Sequence, residues 1–289
     1  MSKDISIDDI NKFWPQNVPG IENIPKYVLK YKNEKIVIKC GGNVLINPAL
    51  FKNFIDDITI LNNLGLSTVI VHGGGPRIKS KLDELNIESK FIGGLRVTDK
   101  KVIGIVENVL IEFNKEIVAA LKNKSCNAHS ITTKTSNTII VKPERKELGY
   151  VGIPDKIKVD ILNKITEKKD IPVLAPMGLN ENSQAFNINA DIAAGAIAKA
   201  LNSRRLLLMT NVEGVYDKNK KLIPEINSIE ALEMIKNETI VSGMIPKINT
   251  CIDAVKNGVK GVVIIDGRKP HSILYEIFSD KGAGTLIRQ

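Results

Sequence analysis

Ile36-Val37-Ile38-Lys39-Cys40-Gly41-Gly42 runs from a β-branched strand into a two-glycine turn, and Asn47-Pro48 then opens a helical pattern reaching about Leu64. Asn at the N-cap and Pro at the first helical position start helices well: one accepts the free N–H groups and the other has none to lose. The same order returns at once, with a strand at Thr68 to Val71, the turn Gly73-Gly74-Gly75 and a helix begun by Pro76 and reaching Leu85. Two strand, glycine turn and helix units in succession predict an α/β fold. Its expected form is a three-layer sandwich, a central, mostly parallel sheet with helices on both faces and ligands at the carboxyl ends of the strands.

Working outward, Phe91 to Thr98 reads as extended chain around Gly93-Gly94, and Lys100 to Leu121 has a helical pattern. Thr138 to Lys142 with Tyr150-Val151-Gly152 suggests a second hairpin. Val173 to Ala175 reads as a strand, Ala193 to Leu201 as a helix of small residues, and Leu206 to Met209 and Val262 to Ile265 as further strands. No repeat, low-complexity tract or flexible linker interrupts the chain, so residues 35–289 are expected to form one compact domain behind an N-terminal extension, residues 1–34.

The 289 residues are 43% hydrophobic and 25% charged, enough to bury a core and too apolar for general disorder. The net charge of +9 comes almost entirely from lysines interleaved with acids; only seven of the 41 basic residues are arginine and aromatics are 4%. That is a solvated surface rather than a nucleic-acid stripe. Three scattered cysteines make neither a disulfide framework nor a metal site. Apolar runs such as Leu206 to Met209 are far too short to span a membrane, and the acidic start lacks an export signal's apolar core. A cytoplasmic protein is expected, with neither nucleic acid nor membrane as a partner.

Turns that follow strands free backbone N–H groups at helix starts, where phosphate or carboxylate binds. A glycine pair also serves close packing, but two at equivalent strand ends, one beside Lys39, favour an anion site. Neither turn matches the P-loop, the dinucleotide fingerprint or the protein-kinase motifs. Asn187-Ile188-Asn189-Ala190-Asp191 offers N-caps, yet holds more polar groups than one cap needs; Asn187 is available for a polar substrate and Asp191 to orient lysines. Lys247, after Ser242-Gly243-Met244, gains weight only from this company.

Lys-x-Gly-Gly at 39–42, Val-His-Gly-Gly-Gly-Pro at 71–76, Gly-Leu-Arg-Val-Thr at 94–98, Asn-x-Asn-Ala-Asp at 187–191, Thr-Asn-Val-Glu-Gly-Val at 210–215 and Gly-Met-x-x-Lys at 243–247 follow one another. In that order they resemble the acetylglutamate kinase family of the amino acid kinase superfamily, from about residue 35 to the end. The Gly-Leu-Arg-Val-Thr segment separates that family from its relatives.

The resemblance implies a transferase, a kinase of arginine biosynthesis that moves the γ-phosphoryl of ATP to the side-chain carboxylate of N-acetyl-L-glutamate. It implies catalytic Lys39, Lys247 and Asp191, and acceptor contacts from Gly74, Gly75, Arg96 and Asn187. Gly41, Gly42, Thr210, Asn211, Gly214, Tyr216, Gly243 and Met244 would meet ATP, with Mg²⁺ held by the phosphates and no protein metal site. Asn211 departs from the usual Asp. The acceptor site falls in about 35–190 and the ATP site in about 191–289. An acyl-phosphate kinase for another acid, or a silent sensor on the same fold, are the rival readings.

Ile21, Ile24, Tyr27, Val28 and Tyr31 have helical spacing ahead of the first strand. They fit either a helix packed on its own domain or the helix that, in arginine-inhibited members, interlaces dimers into a hexamer, a trimer of dimers. The closing segment, Pro270 to Phe278 and Lys281 to Thr285, also resembles those members. L-Arginine is therefore implied as allosteric inhibitor near His271, Glu276, Gly282 and Gly284, in a hexamer or else a dimer.

Overall fold

A computed structural model of the protein describes residues 10–11, 13–16, 18–241 and 243–289. Strands β1 (Lys35–Cys40) and β2 (Ser67–His72) precede two hairpin strands, β3 (Phe91–Ile92) and β4 (Leu95–Arg96). The middle supplies β5 (Ala128–Ile131), β6 (Ile139–Pro143), β7 (Gly152–Ile157), β8 (Ile171–Leu174), β9 (Met177–Leu179) and β10 (Ala185–Asn187). The last third adds β11 (Arg205–Thr210), β12 (Val215–Tyr216), β13 (Leu222–Ile223), β14 (Glu225–Asn227), β15 (Val262–Asp266) and β16 (Gly284–Arg288).

Eight of these strands form one sheet in the order β14-β16-β15-β11-β1-β2-β8-β5, parallel except where β16 runs against β15. β1 stands inside the sheet with β2 on one side and β11 on the other, so the crossovers diverge there. That divergence leaves a crevice at the carboxyl ends of the strands. A second sheet, β10-β9-β6-β7, pairs β6 and β7 antiparallel where a second hairpin was expected, with the second arm running Gly152–Ile157 instead of Tyr150–Gly152.

Helices cover both faces. One layer holds α1 (Ile24–Tyr31), α2 (Pro48–Asn63), α4 (Lys100–Asn123) and α9 (Ser272–Phe278). Their apolar residues pack on Ile36, Ile38, Ile70, Leu207 and Ile265. The other holds α5 (Val159–Thr166), α6 (Ala190–Ala200), α7 (Ser228–Lys236) and α8 (Met244–Lys256), packed on Val37, Val71, Leu206, Leu208 and Ile264. α3 (Gly75–Glu84) lies over α4, sealed by Ile78, Leu82, Val106 and Leu110. Strands buried on both faces explain the unbroken Val-Ile-Leu runs. The strand alternation decides chemistry as well: Val37 and Lys39 share the face that α6 covers.

Helix starts follow the sequence closely. Asn47 accepts from the N–H groups of Ala49 and Leu50 with Pro48 at the first helical position. α6 begins at Ala190, three residues before the expected Ala193, because Asn189 caps it. In the N-terminal extension, Ile24, Tyr27 and Tyr31 are buried, and the Tyr27 and Phe278 rings meet edge to face at 6.2 Å. Residues 1–9, 12 and 17 of that extension lie outside the described residues. Among the described residues no helix is long and apolar enough to cross a membrane.

Candidate active site

Both glycine turns stand at the carboxyl edge of the sheet, where Cys40 pairs with His72 in register and the Gly73 N–H donates to the Cys40 carbonyl at 2.7 Å. A cavity of about 260 Å³ opens there, between Lys39, Gly41 and Asp191 on one side and Gly74, Arg96 and Asn187 on the other. That is below the range of drug-sized sites and suits a small metabolite.

Lys39 is 8% exposed and sits on the α6 side of the sheet, where its ammonium lies 3.0 Å from Asp191 Oδ1. Alanines 193, 194 and 198 and Gly195 let α6 approach closely enough for that reach. α8 packs on α6 and brings the Lys247 ammonium to Asp191 Oδ2, making the carboxylate a bridge between two lysines. Burial raises the Asp191 pKa, but the charges of Lys39 and Lys247 and their hydrogen bonds outweigh it and hold the group at about 2. The start of α6 adds favourable partial positive charge. The result is a locked carboxylate and two cations at one end of the cleft.

The five-residue Asn-Asp segment divides its duties. Asn189 is the cap, its side chain accepting from the N–H of Asp191 at 2.9 Å and of Ile192 at 3.3 Å. Asn187 and Asp191 line the cavity beside it.

At the other end, Gly93 and Gly94 take φ of 57° and 80°, the two positive values a tight hairpin turn requires, and β3–β4 folds over the cleft. Arg96 on β4 donates to the Gly75 carbonyl at 3.2 Å and to Ser89 Oγ, and its guanidinium lies 4.7 Å from the centre of the Phe91 ring. Thr98 is fully buried and anchors the segment: its N–H donates to Leu148, its carbonyl accepts from Tyr150, and its hydroxyl receives the Asn187 amide at 3.4 Å. Ser89, Phe91 and Thr98 were not among the expected site residues. Hydroxyl and ring partners of one arginine carry no spacing signal.

The residues expected to meet ATP spread over β11, β12, the loop between them and the start of α8. Thr210 ends β11 and accepts from the Gly267 N–H at 2.8 Å, and the Asn211 side chain lies against the Cα of Gly42. Gly214 packs on Thr285, Tyr216 is 36% exposed and bonds Glu213 at 3.2 Å, and Gly243 and Met244 begin α8 just ahead of Lys247. Ser242 lies outside the described residues. Among the described residues no group of three or more His, Cys, Asp or Glu is placed to hold a metal.

A separate pocket of about 330 Å³ includes Glu276, Gly282 and Gly284 with Lys30, Arg205 and Arg288. Glu276 is 8% exposed; burial raises its pKa, while the Ala283 N–H, at 2.9 Å, and Arg205 oppose the rise. His271, expected beside them, is not among these walls. It precedes α9 with φ of 55°, and its Nδ1 lies 2.6 Å from Asp57, a carboxyl that burial pushes up to about 6 despite the histidine. His271 stands outside the helix in a left-handed conformation and bonds Asp57, whereas Glu276, within the helix, accepts from the Ala283 N–H.

Residues 34–266 match the model of the amino acid kinase family, and the chain belongs to that family. It is 56% identical to an acetylglutamate kinase of Pelagibacter ubique (strain HTCC1062) across 98% of each chain. It is 44% identical to an acetylglutamate kinase of Brucella abortus (strain S19), across 90% of this chain and 93% of that one. Within the family it falls among the acetylglutamate kinases. The structure of N-acetylglutamate synthase from Neisseria gonorrhoeae complexed with coenzyme A and N-acetyl-glutamate superposes with a TM-score of 0.84 at 23% identity, over 92% of this chain. The chain spans 62% of that protein, and the likeness is one of fold.

Proposed function

We propose that the chain transfers the γ-phosphoryl group of ATP to the side-chain carboxylate of N-acetyl-L-glutamate, an acyl-phosphate-forming step of arginine biosynthesis. One observation carries this: the Lys39, Asp191 and Lys247 bridge and the Arg96 guanidinium occupy opposite ends of one small cleft between two glycine turns. A carboxylate acceptor is ionised at neutral pH, so no base is required. Among the described residues, the titratable groups that line the cleft are Lys39, Arg96 and Asp191, with Lys247 paired to Asp191, a set suited to holding charge rather than taking a proton.

In this reading the γ-carboxylate lies at Gly74 and Gly75, Arg96 takes the α-carboxylate in a bidentate fork, and Asn187 holds the remaining polar end. Lys39 neutralises the transferring phosphoryl from the acceptor side and Lys247 from the nucleotide side. Gly41 and Gly42 add backbone donors, and Thr210 to Tyr216 with Gly243 and Met244 bind the nucleotide. Asp191 is engaged by both lysines, which leaves Mg²⁺ to the phosphates and water. Catalysis is then alignment plus charge neutralisation. ADP release from ATP should require N-acetyl-L-glutamate in a panel with glutamate, aspartate, carbamate and UMP; no turnover with the acetylated acid rejects the reading.

The Glu276 pocket supports L-arginine as feedback inhibitor, since a buried carboxylate in the wall of a pocket suits a guanidinium, and the regulated form in this reading is a homo-oligomer. Glu276→Gln is expected to raise the half-inhibiting arginine concentration ~10-fold or more, about the loss of one charge-assisted hydrogen bond. A dimeric mass in solution together with full activity in millimolar arginine would sink this regulatory reading.

A further inference from the structure

The glycine turn after β2 is held from behind by a histidine that touches neither proposed substrate. His72 is completely buried, with Nδ1 2.9 Å from the Gly73 carbonyl and Nε2 3.2 Å from the Asn114 amide nitrogen on α4. Asn114, also fully buried, donates through that same nitrogen to the Val173 carbonyl on β8 at 2.9 Å. The Phe113 ring closes the site edge-on, 5.2 Å from the imidazole.

These partners fix every proton. Val173 offers only a carbonyl, so the Asn114 group beside it is the NH₂, which faces Nε2 as a donor. Nε2 must therefore accept, and Nδ1 must carry the hydrogen that the Gly73 carbonyl receives. Burial also lowers the imidazole pKa to about 4, so the ring is neutral at neutral pH.

In a trans peptide the carbonyl and the next N–H point in opposite directions. Drawing the Gly73 carbonyl inward to His72 therefore turns the Gly74 N–H outward, toward the cleft that Gly73, Gly74 and Gly75 line. α4 braces the same turn from another side, since a methyl group on Gly74 would overlap the Leu110 side chain. From this geometry we infer that His72, held by Asn114, is a positioning residue that aims the Gly74 N–H at the acceptor's reacting carboxylate. It rests on the proposed reaction and assigns a role to two buried polar residues which that reaction leaves unused.

The test separates the two ring nitrogens. His72→Phe keeps the shape and removes both, and should raise the KM for N-acetyl-L-glutamate ~30-fold while the KM for ATP stays within about twofold, the scale of one misdirected donor in a buried site. His72→Asn places an N–H where Nδ1 stood and should recover acceptor affinity to within about fivefold of wild type. If His72→Phe does not fold, His72→Asn against His72→Gln carries the comparison, because glutamine reaches toward Asn114 instead. The inference requires Asn to retain acceptor affinity and Gln to lose it. Equal values for the two, the reverse order, or acceptor and nucleotide KM rising together in His72→Phe overturn it. A wild-type enzyme inert toward N-acetyl-L-glutamate removes the proposed reaction and this role with it, whereas an active wild type with unaffected variants removes the role alone.

Discussion

Lys39→Met is expected to lower kcat by ~10³-fold while the KM values for ATP and N-acetyl-L-glutamate move only a few-fold. Charge spreads over the transferring phosphoryl oxygens in the transition state, so a fixed cation contributes most there; losing one preorganised donor at such a site costs on the order of 10²–10³ or more in rate. Lys39 is 8% exposed, so water has little room to replace the ammonium. Stability should change little, because Asp191 keeps its bridge to Lys247. Asp191→Asn tests the same triad from its centre with a different signature. The buried Lys39 ammonium and the part-buried Lys247 ammonium then face each other across a neutral amide, and about 3 kcal/mol of stability should be lost with the activity, the usual scale for an uncompensated buried charge.

Steady-state kinetics and urea melts on the two single variants and the double variant distinguish these effects. The double variant should recover part of the stability lost in Asp191→Asn, since one of the stranded charges is gone. A Lys39→Met enzyme within tenfold of wild-type kcat would remove this lysine from the chemistry. The pH sign follows from the carboxyl held at about 2, below its ordinary 3.8. Its contribution to stability is complete above about pH 4 and is lost as pH falls from there toward 2, and across neutral pH Asp191 changes no charge.

How far the sequence discloses such a site depends on how local the signal is. Lys39 and Val37 share a face by strand periodicity alone, and a capped alanine helix is written in Asn189 and the residues after it. Those signals need only near neighbours in the chain. The order β14-β16-β15-β11-β1-β2-β8-β5 is not local: short strands buried on both faces, such as β1, β2, β8, β11 and β15, present nearly the same apolar pattern to any partner. His72 and Asn114 are 42 residues apart and become a pair only when α4 crosses β2. The same reasoning explains His271. Resemblance to arginine-inhibited members placed it near the effector with Glu276, whereas its imidazole partner, Asp57, is 214 residues away in the chain and carries no local signal.

Arg96→Lys should reduce kcat/KM for N-acetyl-L-glutamate by ~10²-fold, with nearly all of the loss in the acceptor's KM and the KM for ATP unchanged. Lysine conserves the charge, so a field effect alone would leave the enzyme almost intact. A planar fork that grips a carboxylate through two parallel N–H groups cannot be reproduced by an ammonium. About 3 kcal/mol is the scale for losing such a charge-assisted pair in a buried setting, which converts to that factor. The fork has other duties that lysine would also abandon: it donates to the Gly75 carbonyl and to Ser89, and it lies over the Phe91 ring. Through them Arg96 ties the β3–β4 hairpin to the glycine turn, so the variant should also loosen the cover of the cleft. Amide exchange across residues 91–96 reads that second effect without reference to turnover. Faster exchange with an unchanged acceptor KM would make Arg96 a strut of the hairpin only. A raised acceptor KM with unchanged exchange would make it a substrate ligand only. Arg96→Lys with both properties at wild-type values would displace the acceptor's α-carboxylate to another part of the cleft.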